Sequence, residues 1–213
     1  MSKYTINVSF QTRVNKTTRT LEIAESFGLG LDEKEWTLYD NLELEVKQGD
    51  VVYITGQSGS GKSVVLRELQ RQMKDEGLSV ASIDDYFAFD NEVNVIDQLG
   101  KTTSEALGLL SMAGLNDAYL FVRKPSEMSD GQKYRLKIAK LIESGAKVWA
   151  ADEFGAVLDR VTAQVVASNL QRAARKVGAT VMVATTHEDL KNALRPDMQI
   201  TKHYKERVKV EYA

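Results

Sequence analysis

The chain has 213 residues, of which 43% are hydrophobic and 27% are charged, a composition that suits one globular domain with a core of its own. Its 28 basic and 30 acidic residues give a formal net charge of −2, so the overall charge does not indicate nucleic acid or an anionic membrane as partner, although a local basic patch stays open. There is no cysteine, which excludes disulfides and thiolate metal sites and favours a reducing, cytoplasmic location. No apolar run is long enough for a spanning helix, and the first ten residues lack the pattern of a signal peptide.

The opening region alternates apolar and polar residues, and this period of two predicts half-buried strands. The alternation covers residues 4–10 and returns over residues 42–46, which together predict an antiparallel β region. The next run, Val51–Thr55, is apolar throughout and predicts a strand that is buried on both faces of a parallel sheet.

Strands and helices then alternate along the chain. Helical spacing follows the Gly/Ser loop after Thr55 and covers residues 159–177, while further buried strands are predicted at residues 80–83, 147–151 and 180–185. Residues 95–142 are almost wholly helical in pattern, and residues 198–212 predict two short strands. The alternation favours a parallel α/β sheet that carries a helical insertion at about residues 86–143, within one domain spanning residues 1–213.

The most specific motif lies between a predicted strand and a predicted helix and matches the pattern G-x-x-x-x-G-K-[ST]. Its residues are Gly56, Gln57, Ser58, Gly59, Ser60, Gly61, Lys62 and Ser63. The glycines allow a tight turn that brings backbone N–H groups close to phosphate oxygens, and the helix that follows directs its partial positive charge to the same place. Lys62 is therefore predicted to bind the β- and γ-phosphates of ATP, and the Ser63 hydroxyl to ligate Mg²⁺.

A second apolar strand ends in two adjacent carboxylates, Asp152 and Glu153. In enzymes with a phosphate loop, the first acidic residue after such a strand holds the Mg²⁺ shell, which predicts that role for Asp152. Glu153 is then placed to polarise the attacking water as general base. The predicted fold is accordingly α/β, a P-loop NTPase parallel-sheet core with an antiparallel β subdomain and a helical insertion.

The segment Met128-Ser129-Asp130-Gly131-Gln132 precedes a predicted helix and resembles the L-S-G-G-Q signature of the ABC ATPase family, with Met and Asp in place of the Leu and the first Gly. The resemblance implies that Ser129, Gly131 and Gln132 bind the ATP held by a second copy of the chain. The same residues also predict an ordinary helix start, in which Ser129 caps the helix and Gln132 closes a capping box. Both interpretations are compatible.

Two further segments follow in the order that the family shows. Residues 156–159 resemble the D-loop, which crosses the dimer interface, and residues 185–188 resemble the segment of the switch histidine. The resemblance assigns His187 a contact with the γ-phosphate and the attacking water, beside Lys62 and Glu153. It implies an ATPase that uses ATP and Mg²⁺ and works as an ATP-sandwiched homodimer.

The sequence departs from the family where a Gln usually touches Mg²⁺ or its water. Asp85 falls at that position, where it either ligates the metal or only caps a turn together with Asp84. The aromatic residue that stacks on adenine in the family corresponds best to Phe27, with Trp36 and Tyr39 as alternatives.

The replaced Gln, the compact helical insertion and the short segment after His187 favour a soluble, non-transport role. A soluble partner or nucleic acid is then expected, and a membrane subunit is ranked lower. The first alternative is the ATPase subunit of a membrane ABC transporter, and the second is a non-hydrolysing ATP-dependent scaffold or switch, which Glu153 disfavours. Residues 19–30 also resemble the stand-alone relatives of ABC ATPases that are fused to an acetyltransferase domain.

Overall fold

A computed structural model describes residues 2–83, 89–204 and 206–213, apart from the side chains of Thr12 and Lys34. The chain separates into two compact units, one of residues 3–44 and a larger one of residues 45–213 with Ser2. The prediction of a single nucleotide-binding domain over residues 1–213 stays a prediction. Within the described ranges, no helix is both long enough and apolar enough to cross a membrane.

The smaller unit consists of two strands and one helix. Their bounds are β1 Ser2–Thr12, α1 Thr18–Phe27 and β2 Lys34–Val46, the last of which continues into the larger unit. The strands pair in antiparallel fashion, because Asn7 contacts Asn41 while Ser9 contacts Thr37. The predicted antiparallel β region is confirmed.

Helix α1 has no counterpart among the predicted elements. Its start is a capping box, in which the Thr17 hydroxyl accepts from Thr20 N and the Thr20 hydroxyl accepts from Thr17 N at 2.8 Å. Gly28, with φ of 63°, ends the helix in the left-handed region. Most apolar residues of α1 are exposed, among them Ile23 and Phe27, whereas Ala24 is buried.

The larger unit is built on a six-stranded sheet. Its strands are β3 Val51–Thr55, β4 Val80–Ser82, β5 Val148–Ala151, β6 Thr180–Thr185, β7 Met198–Thr201 and β8 Lys209–Tyr212. They lie in the order β4-β5-β6-β3-β7-β8, with parallel pairing from β4 to β7 and antiparallel pairing of β8 to β7. The predicted parallel-sheet core is confirmed, and so are the two short strands that were predicted near the C-terminus.

Helices and 3₁₀ turns connect these strands. The helices are α2 Lys62–Asp75, α3 Thr103–Met112, α4 Ala118–Phe121, α5 Asp130–Ser144, α6 Arg160–Val177 and α7 Lys191–Leu194. The 3₁₀ turns cover Val95–Gln98, Pro125–Glu127 and Glu188–Leu190. The segment between β4 and β5 holds α3, α4 and α5, in agreement with the predicted helical insertion, and it is interrupted near Gly100 and Gly114.

The sheet of the larger unit is buried on both faces, which explains why β3 shows no alternation. On one face Tyr53 and Trp149 join a core to which α5 and α6 contribute buried residues such as Leu136 and Leu170. On the other face lie the alternate residues of β3, including Ile54, and helix α2 packs against this sheet with a buried stripe of its own. Because parallel strands end at the same edge, the loops after β3, β5 and β6 meet there.

Candidate nucleotide site

The loop between β3 and α2 has the backbone shape that the motif requires. Gly56, Gly59 and Gly61 have φ values of 134°, 71° and 100°, in the region that side chains disfavour. The requirement is strictest at Gly56, where an added Cβ would lie 1.9 Å from the carbonyl oxygen of Lys202. At the same end of the loop, the Gln57 amide oxygen accepts a hydrogen bond from Tyr204 N at 3.3 Å.

Lys62 turns back onto the loop that precedes it. Its ammonium donates to the carbonyl oxygens of Gly56 at 2.9 Å and Gln57 at 2.7 Å, and the residue is 9% exposed. Burial lowers the pKa of this ammonium, and the nearby carboxylates of Asp152 and Glu153 oppose the shift. The positive charge is therefore held at the loop, where phosphate oxygens would bind.

Asp152 and Ser63 form an oxygen pair at the start of α2. The Ser63 hydroxyl donates to Asp152 Oδ1 at 2.8 Å, and the same oxygen accepts from Glu153 N at 3.0 Å. The other carboxylate oxygen lies 3.7 Å from the Arg67 guanidinium. A hydroxyl beside a carboxylate suits Mg²⁺, which takes few protein ligands and completes its shell with water and nucleotide oxygens. The described residues contain no group of three or more His, Cys, Asp or Glu side chains that could hold a metal ion.

Glu153 has a backbone conformation that the sequence did not indicate. Its φ is 46°, in the left-handed region that a non-glycine residue adopts at a cost of about 1–3 kcal/mol. The next residue, Phe154, donates its N–H to the Ala184 carbonyl at 2.9 Å and is fully buried, which fixes the chain on the far side of Glu153. The turn leaves the Glu153 residue exposed next to Asp152.

The predicted phosphate-loop and carboxylate residues meet in one cleft of about 530 Å³, here called the nucleotide cleft. It is lined by Ser58, Gly59, Gly61, Lys62, Ser63, Val64, Asp152, Glu153, Ala156, Thr185 and Thr186. The lining comes from the loops that follow β3, β5 and β6, whose carboxyl ends lie side by side in the sheet. Ser60 is buried beside the cleft residues along the loop, and its N–H donates to the Gln57 carbonyl at 3.3 Å.

His187 follows β6 and lies close to the turn after Glu153. An added Cβ at Gly155 would lie 3.8 Å from His187 Cδ2, so the imidazole borders the segment that carries the predicted base. His187 N donates to the Thr185 hydroxyl at 3.1 Å, and its carbonyl oxygen accepts from the Tyr53 hydroxyl. The histidine itself is half-buried.

The start of α5 forms the capping box that the sequence predicts. The Ser129 hydroxyl accepts from Gln132 N at 3.4 Å, and Gln132 Oε1 accepts from Ser129 N at 2.9 Å. Gly131 is buried against α6, because a Cβ there would lie 2.6 Å from Thr162 Cγ2. Ser129, Gly131 and Gln132 do not line the nucleotide cleft of their own chain, as the described residues define it.

A second cleft of about 550 Å³ adjoins the same two carboxylates. It is lined by Arg67, Asp130, Lys133, Tyr134, Lys137, Asp152, Glu153, Ala156 and Val157. Arg67 was not among the predicted site residues, although its position one helical turn after Ser63 on α2 could have indicated it. Its ion pair with Asp152 makes it a neighbour of the proposed cation ligands.

The structure does not place two sets of predicted residues at this site. Asp85 lies outside the described residues. The three aromatic residues proposed for adenine stacking belong to the smaller unit, where Phe27 is 75% exposed, Trp36 contacts Phe10 with ring centroids 5.3 Å apart, and Tyr39 is buried. The assignment of an adenine contact to Phe27 stays a prediction.

A comparison with known protein families identifies the family to which this chain belongs. The family described as ABC transporter matches residues 39–156, more than half of the chain, and this stretch includes both the phosphate loop and the Asp152–Glu153 pair. The chain belongs to the ABC transporter family. The resemblance to the ABC ATPase family that was stated from the sequence motifs is thereby confirmed.

Relatives and solved structures agree with this membership. The methionine import ATP-binding protein MetN of Geobacillus kaustophilus is 27% identical over 188 residues, which is 71% of this chain and 53% of that protein. MetN of Streptococcus agalactiae serotype Ia is 27% identical over 216 residues, 84% of this chain and 57% of that protein. This ABC ATPase thus spans about half the length of the curated relatives that it matches.

The solved structures support the fold. The ATP-binding cassette MJ0796, described as a dimeric post-hydrolysis state bound to ADP and Pi, superposes with a TM-score of 0.64 at 19% identity over 99% of this chain and 98% of that one. A second structure of MJ0796, described as a dimeric bacterial ABC transporter cassette, gives a TM-score of 0.63 at 19% identity over 98% of each chain. At this identity the likeness shows that the two proteins share the ABC ATPase fold.

Proposed function

We propose that this ABC ATPase binds Mg-ATP in the nucleotide cleft and hydrolyses it. The observation that carries the proposal is the 2.8 Å contact between Ser63 Oγ and Asp152 Oδ1, in the cleft that Lys62 and Glu153 also line. The contact brings a phosphate-binding loop, a pair of oxygen ligands for a cation and an acidic base together. A non-hydrolysing switch would have no need of the base.

Each side chain has a role in this reaction. Lys62 binds the β- and γ-phosphate oxygens together with the N–H groups of the loop. Ser63 and Asp152 would hold Mg²⁺, which supplies positive charge against the phosphates. Glu153 accepts a proton from the water that attacks the γ-phosphorus as the bond to the β-phosphate oxygen breaks, and His187 contacts the γ-phosphate.

Two copies of the chain are proposed to enclose the nucleotide. Ser129, Gly131 and Gln132 of one copy would face the γ-phosphate that is held by the phosphate loop of the other. The support is that Ser129 lies exposed at the start of α5 while all three residues stand outside the lining of their own nucleotide cleft. The MJ0796 structures, which share the fold, are described as dimeric.

Phosphate release from ATP tests the hydrolytic part of the proposal. We expect turnover that needs Mg²⁺ and that Lys62→Ala abolishes, because the substitution removes the charge that binds the phosphates. Lys74→Ala provides a matched control, since Lys74 is an exposed lysine in the last turn of the same helix. Turnover that survives both metal chelation and Lys62→Ala would contradict the proposal.

The partner is proposed to be a membrane subunit, so that the chain works at the cytoplasmic face of a membrane. The support comes from the relatives, which are named methionine import ATP-binding proteins. The comparisons therefore favour the transporter alternative over the soluble role that the sequence analysis preferred. That methionine is the cargo is a property of those relatives.

A soluble role is the second candidate, and the observation that favours it is Asp85 at the position of the family's Gln. Fractionation of native cells followed by crosslinking separates the two. Recovery in membranes, with crosslinks from the helical insertion to a polytopic protein, is expected for a transporter. Recovery in the soluble fraction, with turnover stimulated by nucleic acid or a soluble protein, is expected for the second candidate.

A further inference from the structure

The backbone of His187 is held on both sides by hydroxyl groups from two strands of the sheet. Its N–H donates to the Thr185 hydroxyl at 3.1 Å, and its carbonyl oxygen accepts from the Tyr53 hydroxyl. The Thr185 contact joins residues two apart and is an ordinary Ser/Thr turn, whereas the Tyr53 contact comes from a separate strand. Both peptide groups of His187 are thus hydrogen-bonded.

Tyr53 is an unexpected residue at the centre of an apolar strand. It is completely buried in the middle of β3, where its neighbours Val52 and Ile54 are also completely buried. Phenylalanine would fill nearly the same space without placing a hydroxyl inside the protein, and a buried hydroxyl is unfavourable unless it is hydrogen-bonded. The Tyr53 hydroxyl meets this condition by donating to His187.

The phenol remains a donor over the working pH range. Burial raises the pKa of Tyr53, and the nearby carboxylates of Asp189 and Glu188 raise it as well, while hydrogen bonds with Thr55 and Leu190 oppose the shift. A protonated phenol beside a carbonyl oxygen can only donate to it, so the direction of this hydrogen bond does not change near neutral pH.

Thr185 links the same histidine to the segment of the predicted base. Its hydroxyl accepts from His187 N and donates to the Phe154 carbonyl at 2.8 Å. Phe154 directly follows Glu153, whose backbone is in the left-handed region. Tyr53 and Thr185 therefore fix the position of His187 relative to the turn that presents Glu153.

We propose that Tyr53 is a positioning residue for hydrolysis, because its hydroxyl holds the His187 carbonyl and thereby aligns the imidazole beside the segment that carries Glu153. The proposal rests on the role given to His187 in the proposed function. Tyr53 itself is not placed in contact with the nucleotide, since it lies in the core and not among the residues that line the nucleotide cleft.

The substitution Tyr53→Phe removes the hydroxyl alone and tests the proposal by steady-state kinetics on the full chain. The loss of one hydrogen bond is expected to lower kcat by about 3–10-fold and to leave KM for ATP within about twofold of its starting value. The matched control is Tyr4→Phe, which removes the hydroxyl of another buried tyrosine in the smaller unit. This control should keep kcat unchanged.

A double variant separates positioning from general destabilisation. If Tyr53 acts through the histidine, Tyr53→Phe should lower kcat no further in a His187→Ala background. The same fractional loss in both backgrounds, or an unchanged kcat in the single variant, would overturn the inference. Normal turnover of His187→Ala would instead remove the histidine from the reaction, which would overturn the inference and the role given to His187 but leave the proposed hydrolysis of ATP in place.

A spectroscopic measurement tests the inference without relying on turnover. The chain has only two histidines, His187 and His203, so their imidazole NMR signals can be assigned with single substitutions. We expect Tyr53→Phe to shift or broaden the His187 signal and to leave the His203 signal in place. A His187 signal identical to that of the unsubstituted protein would show that the hydroxyl does not position the ring, whatever the kinetics.

Discussion

The starts of helices α2 and α5 carry residues that are predicted to bind a nucleotide, but only one of the two starts is capped by side chains of the chain. Helix α2 begins after Gly61, and no side chain among the described residues caps its first N–H groups. Helix α5 begins after Ser129, which forms a reciprocal capping box with Gln132. No described side chain therefore competes with a phosphate at the α2 start, where Val64 N donates to the Gly61 carbonyl at 3.0 Å, whereas two donors of the α5 start are satisfied by side chains of the chain.

In the proposed dimer, this contrast would separate the contacts that one copy makes alone from those that need two. The α2 start lies beside Asp152 and Glu153 of the same chain, so its partners are already in place. The α5 start already has its capping box, and the phosphate that is proposed to face it belongs to the nucleotide of a second copy. Substitutions in the first region should impair catalysis, whereas those in the second should also reduce stability.

The largest effect is expected in the first region. Glu153→Gln removes the general base but keeps the size of the side chain, so turnover should fall by about 10²–10⁴-fold. Nucleotide binding should persist, because Lys62 and Ser63 are unchanged. Phosphate release and nucleotide binding are measured on the same preparation, with Glu22→Gln, an exposed carboxylate of α1, as control. Equal turnover in the two variants would show that Glu153 is not the general base.

A smaller effect is expected for Gly131 in the second region. Alanine favours helices over glycine, but its Cβ would lie 2.6 Å from Thr162 Cγ2, so Gly131→Ala should lower the free energy of unfolding by about 1–3 kcal/mol. Adding Thr162→Ser removes that methyl group and keeps the hydroxyl that donates to Asp159, so the double variant should recover most of the loss.

Chemical denaturation measures both changes. A double variant that is as unstable as Gly131→Ala would show that the glycine is needed for something other than its packing against α6. A Gly131→Ala variant as stable as the unsubstituted protein would show that α6 shifts to accommodate the added Cβ.

The smallest effect is expected for the cap itself. Ser129→Ala removes the acceptor for Gln132 N and should lower the free energy of unfolding by about 1 kcal/mol. Ser129→Asn supplies another capping oxygen and should retain the stability of the unsubstituted protein. Thermal unfolding compares the three proteins, and identical midpoints would show that the capping box contributes nothing that the α5 start requires.

The sequence predicts the first region well because its signals are local. A run of apolar residues followed by the Gly/Ser loop and a lysine determines strand, turn and helix within a few positions, and the parallel strand ends bring Asp152 to Ser63. The α5 start is also local, since Ser129 and Gln132 are three residues apart. Helix α1 was missed because the third residue of its capping box is Thr20 instead of the Glu or Gln that usually marks a helix start.

Other features depend on contacts between distant segments and have no short-range signal. The left-handed φ of Glu153 follows from the way the chain must turn after β5 before Phe154 bonds the Ala184 carbonyl. The Tyr53 hydroxyl reaches His187, which is 134 residues away along the chain. Alternation and motif spacing describe neighbours, and they carry no information about pairs of this kind.

The central claim is that ATP lies between two copies, with the phosphate loop of one facing Ser129 of the other. The most direct test is the mass of the Glu153→Gln protein in solution, measured by light scattering with and without Mg-ATP. We predict a monomer without nucleotide and a dimer with it, whereas Ser129→Arg in the same background should bind nucleotide and remain monomeric, because the bulky cation blocks the incoming γ-phosphate. A Glu153→Gln protein that binds ATP as a monomer, or a Ser129→Arg variant that dimerises with unchanged affinity, would contradict the claim.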